Sequence, residues 1–140
     1  MRFTLKRKWE DDDGMLEIEV YFAYAGYAAT QDIYVYPSQL SEFGAKLESF
    51  PSSIQDEVIL EIGSTDEKWY CWLKLRAYVY DLTGHSALEF SVQSNGAVQE
   101  RTRAQFSAKL EVASLNELGK QISNWAGNNL DPLEFERDID

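Results

Sequence analysis

Apolar and polar side chains alternate along two stretches near the N-terminus, residues 2–9 and 15–24. A period of two is typical of a β-strand that buries one face. Between the stretches lies an acidic turn that ends in Asp13 and Gly14, a pair that favours a tight hairpin. The pattern therefore predicts two antiparallel strands.

A helical period appears twice. Residues 39–50 read QLSEFGAKLESF, and residues 114–125 read SLNELGKQISNW. In each copy apolar residues recur three and four positions apart, which indicates an amphipathic helix. Ser114 and Glu117 have the spacing of a capping box at the start of the second helix. The two stripes match position for position: Leu40, Phe43, Leu47 and Phe50, then Leu115, Leu118, Ile122 and Trp125.

The remaining apolar runs are predicted strands: residues 31–36, 57–62, 68–80, 86–93 and 104–112. The order is then β-β-β-α-β-β-β-β-α, with two related halves. Short turns between strands favour antiparallel pairing, and one stripe per helix favours helices on a single face. We predict an α+β fold with one antiparallel sheet of about six or seven strands. Residues 1–128 are expected to form one domain, followed by an acidic tail over 129–140.

Composition narrows the function classes. The net charge is −11, which disfavours nucleic acid as a partner and favours a basic protein. The single cysteine, Cys71, excludes an internal disulfide and suits a reducing compartment. No stretch has the length and apolarity of a membrane span. We therefore expect a cytoplasmic protein that binds neither nucleic acid nor membrane.

Candidate catalytic chemistry is sparse. His85, the one histidine, follows Gly84 in a predicted turn, where a turn role is favoured over catalysis. One cysteine and one histidine cannot make a structural zinc centre. The acidic run at residues 10–13 matches no calcium loop. The alternation predicts that Cys71 is buried and inert. We expect no enzymatic activity, no metal and no cofactor.

The segment 68–80 carries the strongest functional signal. If its side chains alternate, one face packs in the core and the other is rich in tyrosine, tryptophan and arginine, which are enriched at binding hot spots. Tyrosines also tolerate half-exposure in ordinary strands, and both interpretations stay open. The predicted face comprises Tyr70, Trp72, Lys74, Arg76, Tyr78 and Tyr80, joined by Tyr21, Tyr34 and Tyr36 from the second and third predicted strands.

Residues 69–96, WYCWLKLRAYVYDLTGHSALEFSVQSNG, are followed by a strand and a leucine-rich helix at 104–125. This pattern, with Asp81, Gly84 and His85 in one turn, resembles a group of small bacterial proteins. Some members are WapI-type immunity proteins, which protect a cell from a toxin made by its own kind. The resemblance implies a non-enzymatic, toxin-binding partner.

We therefore expect a protein-binding domain that occludes a basic toxin. The expected anchors are Tyr34, Tyr36, Tyr70, Trp72, Arg76, Tyr78 and Tyr80, with Glu17, Glu19 and the turn 11–13 steering the partner. Two alternatives stay open. The aromatic face could pack on a second copy in a homodimer, or a pocket between helices and sheet could hold a small ligand.

Overall fold

The computed structural model describes residues 1–127 and 130–138. The elements follow the predicted order, with one further strand at the C-terminus. They are β1 (Arg2–Glu10), β2 (Leu16–Tyr24), β3 (Tyr27–Val35), α1 (Pro37–Glu48), β4 (Glu57–Gly63), β5 (Cys71–Val79), β6 (Ser86–Ser94), a 3-10 turn (Val98–Glu100), β7 (Thr102–Leu110), α2 (Val112–Ala126) and β8 (Leu133–Glu136).

The strands form two antiparallel sheets. Sheet A has the order β3-β2-β1-β8, and sheet B has the order β4-β5-β6-β7. The α+β class is confirmed, but the single sheet of six or seven strands is not. Alternation shows which face of a strand is buried and leaves open which strands share a sheet. Neither helix is long and apolar enough to cross a bilayer, a finding that covers the described residues.

The C-terminal segment contributes to sheet A. Within the segment 129–140, expected to be an acidic tail, Leu133–Glu136 forms β8 and pairs with β1. Leu133 and Phe135 point into the core, opposite Leu5 and Phe3. The strands of sheet A are therefore not consecutive in the sequence, because β8 comes after all four strands of sheet B along the chain.

The inner faces of both sheets share one core with both helices. The ring of Phe22 in sheet A stacks on Phe90 in sheet B, with centroids 5.1 Å apart. Phe106 packs against both rings. The helix stripes are buried at every predicted position, from Leu40 in α1 to Trp125 in α2. The predicted capping box is wrong, because α2 begins at Val112 and Ser114 lies inside its first turn.

The two helices cross at a pair of glycines that occupy equivalent positions in the two copies of the helical motif. A Cβ atom added to Gly44 would lie 2.7 Å from the carbonyl oxygen of Gly119 and against the side chain of Ser123. A Cβ atom added to Gly119 would lie 2.6 Å from the carbonyl oxygen of Gly44. The backbones approach this closely because neither residue has a side chain.

We expect Gly44→Ala and Gly119→Ala each to lower the free energy of unfolding by about 1–3 kcal/mol, because the added methyl group meets backbone atoms that cannot yield without separating the helices. Urea unfolding followed by tryptophan fluorescence measures the change. Gly96→Ala is the matched control, since its added Cβ meets no atom closer than 3.9 Å. Equal stability of all three variants would contradict a tight helix crossing.

Candidate functional site

On the outer face of sheet B, two aromatic rings are each stacked against an arginine side chain. This face consists of the side chains that point away from the core, namely Glu57, Ile59 and Glu61 on β4; Trp72, Lys74, Arg76 and Tyr78 on β5; Ala87, Glu89, Ser91 and Gln93 on β6; and Arg103, Gln105, Ser107 and Lys109 on β7. The orientation predicted for β5 is the one observed: Leu73 and Leu75 are buried, whereas Trp72 and Arg76 are half-buried on this face.

At one end of this face, Arg103 lies over the ring of Trp72, with its guanidinium carbon 5.1 Å from the ring centroid. The indole Nε1 of Trp72 donates a hydrogen bond to Glu61 Oε2 at 2.7 Å. Arg103 Nη1 donates to Gln93 Oε1 at 2.9 Å. Arg103 itself is exposed, so the stack presents a charged plane to solvent above a fixed ring.

A second stack lies further along the same strand. The guanidinium carbon of Arg76 is 4.0 Å from the ring centroid of Tyr78. Its nitrogens bind Glu57 at 3.0 Å and Glu89 at 3.4 Å. The Tyr78 hydroxyl donates to Ser107 Oγ at 2.9 Å. These contacts hold both planar groups in one orientation across four strands.

Beyond the second stack, the face ends at a pocket beside the β5–β6 hairpin. Its volume is about 450 Å³, and its lining includes Tyr80, His85, Lys109 and Arg137. The ammonium of Lys109 lies 5.8 Å from the Tyr80 ring centroid. Asp81 accepts a hydrogen bond from the His85 ring at 2.6 Å, and that bond is the main cause of an Asp81 pKa well below its usual range. His85 thus stabilises the turn, the role favoured from its position.

The expected anchors do not form one surface, because their strands belong to different sheets. Tyr34 lies on the outer face of sheet A, where Glu17 separates it from Trp9. Tyr70 precedes β5 and packs edge-on against Tyr34, with centroids 5.6 Å apart. Trp72, Arg76 and Tyr78 lie on the outer face of sheet B, and Tyr80 lies at its pocket end.

Among the remaining predicted residues on the sheet A side, Tyr36 and Asp13 are engaged with each other. The Tyr36 hydroxyl donates to Asp13 at 2.8 Å, and this bond, after that from the Met15 backbone, holds the Asp13 pKa below its ordinary value. Glu19 stands opposite Lys6 and Asp32 in the sheet. Of the acidic residues that were expected to steer a partner, Asp13 therefore supports the fold, whereas Glu17 and Glu19 line the outer face of sheet A.

Charge distinguishes the two outer faces. The outer face of sheet B carries four cations, Lys74, Arg76, Arg103 and Lys109, against three carboxylates, Glu57, Glu61 and Glu89. The outer face of sheet A carries three cations, Arg2, Lys6 and Lys8, against five carboxylates, Glu17, Glu19, Asp32, Glu134 and Glu136. Sequence reasoning missed Arg103 and Lys109, although the alternation of residues 102–110 was available to place them.

No group of three His, Cys, Asp or Glu side chains among residues 1–127 and 130–138 is placed to hold a metal ion. Cys71 is buried, as expected, and its thiol lies 3.6 Å from the carbonyl oxygen of Asp32. Burial is the main cause that raises the pKa of Cys71 to about 11, and the negative charge of Asp32 adds to it.

Comparison with known proteins gives a fold and no family. No protein-family model matches the chain, and no curated protein matches it. Among solved structures, the plant transcriptional regulator PBF-2 superposes with a TM-score of 0.52 at 10% identity, over 89% of this chain and 74% of that one. WHY3 from Arabidopsis thaliana gives a TM-score of 0.49 at 8% identity, over 89% of this chain and 78% of that one.

The similarity to PBF-2 corrects the functional expectation. The chain shares its fold with a transcriptional regulator, which contradicts the interpretation as an immunity protein that occludes a toxin. It also contradicts the exclusion of nucleic acid as a partner. The physical reason for the error is that a net charge of −11 describes the whole chain, whereas cations outnumber carboxylates on the outer face of sheet B.

We expect the Cys71 thiol to react slowly with a disulfide reagent at pH 8, because a pKa of about 11 leaves only about one thiol in a thousand as the reactive thiolate. The rate should rise as the pH approaches 11. Absorbance after addition of dithionitrobenzoate measures it, with protein in urea as the accessible reference and Cys71→Ser as the blank. Reaction of the folded protein as fast as in urea would contradict the buried thiol.

Proposed function

We propose that the protein is a non-enzymatic domain that binds single-stranded nucleic acid across the outer face of sheet B. The observation that carries this proposal is the pairing of fixed aromatic rings with cations on one open sheet face. Proteins that bind single strands combine stacking surfaces with basic side chains that follow the backbone. The fold shared with a transcriptional regulator supports a nucleic-acid ligand.

The stacking geometry suits unpaired bases. The exposed guanidinium of Arg103 lies over Trp72, and a base can stack on such a plane or on the aromatic ring that supports it. Bases inside a duplex are already stacked on each other and present only their edges. A broad sheet face with stacked planar groups therefore favours single strands over duplex.

The overall acidity does not prevent this binding. Charges on a protein surface are screened over about 8 Å at physiological ionic strength, so a bound backbone responds mainly to nearby groups. Nearby groups on β7 are Arg103 and Lys109, both exposed. They are separated by six residues of an extended strand, roughly 20 Å, and thus reach several consecutive phosphates. We also infer a cytoplasmic location, where Cys71 would stay reduced.

Fluorescence anisotropy with a labelled 15-residue oligothymidine tests the proposal. We expect Trp72→Ala to weaken binding by roughly 5- to 150-fold, which corresponds to the loss of one stacked base at about 1–3 kcal/mol. Arg103→Ala should weaken binding and reduce the slope of log K against log salt by about 0.7, the value for one phosphate contact on a single strand. The same sequence as a duplex should bind more weakly.

The outer face of sheet A supplies matched controls. Trp9→Ala removes a tryptophan that is 57% exposed, and Arg2→Ala removes an arginine that pairs with Glu136 at the surface. Both variants should bind oligothymidine like the wild type. The proposal fails if the wild-type protein does not bind at low salt, or if the two faces prove equally sensitive to substitution.

A further inference from the structure

The pocket at the end of the outer face of sheet B is lined by two exposed rings. Tyr80 continues the alternation of β5 two residues beyond Tyr78, and its backbone N–H donates to the carbonyl oxygen of His85 at 2.9 Å. The rings of Tyr80 and His85 lie nearly parallel, at 20°, with centroids 6.0 Å apart. Tyr80 is 43% exposed and the His85 side chain 66%, so a planar ligand can reach both rings.

The His85 ring is held in place by the turn that carries it. Its Nδ1 donates to Asp81 Oδ2 at 2.6 Å, and the backbone N–H of His85 donates to Asp81 Oδ1 at 3.0 Å. Thr83 Oγ1 lies 2.9 Å from the same ring nitrogen. These contacts use one edge of the ring and fix its plane. A ligand that stacks on a ring already fixed loses less free energy to the ordering of side chains.

The charges that line the pocket are balanced. Lys109 and Arg137 are the cations of the lining, and Glu111 and Asp138 are its carboxylates. A phosphate would therefore meet as many repelling groups as attracting ones. A neutral ligand suits the lining better if it both donates and accepts hydrogen bonds, because carboxylates accept and the two cations donate. A nucleobase is such a ligand, since it is planar and uncharged and carries donors and acceptors along its edge.

The size and place of the pocket agree with this ligand. Its volume of about 450 Å³ falls within the range of about 300–1,000 Å³ that is typical of small-molecule sites. Leu110 and Val112 add apolar surface to the lining. Lys109 lies in the same row of the sheet as Tyr78, with Ala87 between them. A strand that passes the second stack therefore arrives at the pocket.

We propose that this pocket holds one nucleobase of the bound strand, stacked on the rings of Tyr80 and His85; this inference rests on the proposed function. Unpaired bases can turn out of line and stack on tyrosine and histidine rings. Glu111 and Arg137 offer an acceptor and a donor to the edge of the base. The ammonium of Lys109, 5.8 Å from the Tyr80 ring centroid, is left for the adjoining phosphate.

Two substitutions remove the rings. Tyr80→Ala and His85→Asn should each weaken binding of the 15-residue oligothymidine, and Tyr80→Ala by roughly 5- to 150-fold, the range for one stacked base. Asparagine at position 85 keeps a side-chain N–H for Asp81 and so preserves the turn. The slope of log K against log salt should be the same for Tyr80→Ala as for the wild type, because no phosphate contact is lost. A smaller slope would show a phosphate contact and overturn the base pocket.

The chain offers a matched control for each substitution. Leu82→Ala changes the same turn at a side chain that is 87% exposed and lies outside the pocket lining. Tyr27→Ala removes a tyrosine of sheet A that is 69% exposed. Both controls should bind oligothymidine like the wild type. Affinities as low as that of Tyr80→Ala in either control would contradict the pocket.

Photocrosslinking of the wild-type protein tests the contact without any substitution. A 15-mer that carries 5-iodouracil in place of thymine is bound and irradiated, and the modified residues are located by mass spectrometry of the tryptic peptides. We expect adducts on Tyr80 or His85 as well as on Trp72. Adducts on Trp72 and Tyr78 with none on Tyr80 or His85 would show that no base enters the pocket.

The outcomes distinguish the two proposals. If the wild type binds oligothymidine and Trp72→Ala weakens binding, but Tyr80→Ala and His85→Asn bind normally, the base pocket is wrong and the proposed function stands. If the wild type binds no single strand at low salt, the proposed function fails, and the base pocket fails with it. Lower affinity of Tyr80→Ala at an unchanged salt slope, together with adducts in the pocket, supports the inference.

Discussion

Two sheets and two helices bury their apolar faces in one core, and this shared burial determines what the protein can present to a partner. The core closes because α1 and α2 approach at Gly44 and Gly119 closely enough for both stripes to reach it. The stacked rings of Phe22 and Phe90 join the sheets at its centre. Since the inner faces are buried in this way, the sheet surfaces that remain open to a partner are the two outer faces.

The two outer faces differ in how their side chains are engaged. On sheet A, Lys8 binds Asp32 at 2.9 Å, and that hydrogen bond raises the Lys8 pKa above its ordinary value. Carboxylates remain in excess there. On sheet B, Glu57 and Glu89 pair with Arg76, whereas Glu61 accepts a hydrogen bond from the uncharged indole of Trp72 and keeps its charge. The exposed cations of this face lie on β7. An anionic polymer therefore meets less repulsion on sheet B, in spite of the charge of the chain as a whole.

Much of the fold could be predicted because it depends on local periodicity. The alternation of apolar and polar residues located β1, β2 and β5. The two helical motifs match position for position, and the helices cross at one matched pair, Gly44 and Gly119. The division into two sheets could not be predicted, since pairing between distant strands leaves no local pattern. The strand β8 has only four residues, two of them acidic, and owes its place to pairing with β1.

Only part of the candidate site could be predicted from the sequence, because alternation gives the orientation of side chains within a strand but not the order of the strands. The alternation of residues 71–79 correctly turned Trp72, Arg76 and Tyr78 away from the core. It could not show that Tyr34 belongs to another sheet, or that Arg103 stands beside Trp72, because both facts depend on strand order. The sequence alone gives no indication that the hydroxyl of Ser91 is buried and unpaired. A serine among strand residues looks ordinary, and only its neighbours in space show that its hydroxyl is buried and unpaired.

Stability alone does not account for the centre of the outer face of sheet B. A fold selected only for stability would pair the Ser91 hydroxyl or replace it, because an unsatisfied buried polar group costs about 1–3 kcal/mol. The neighbouring rows show that this sheet can satisfy its polar groups, down to the bond from Tyr78 to Ser107. Glu61 lies in the same row of the sheet as Lys74 and Ser91 and accepts a hydrogen bond from Trp72, so the unpaired hydroxyl is a feature of Ser91 and not of a whole row.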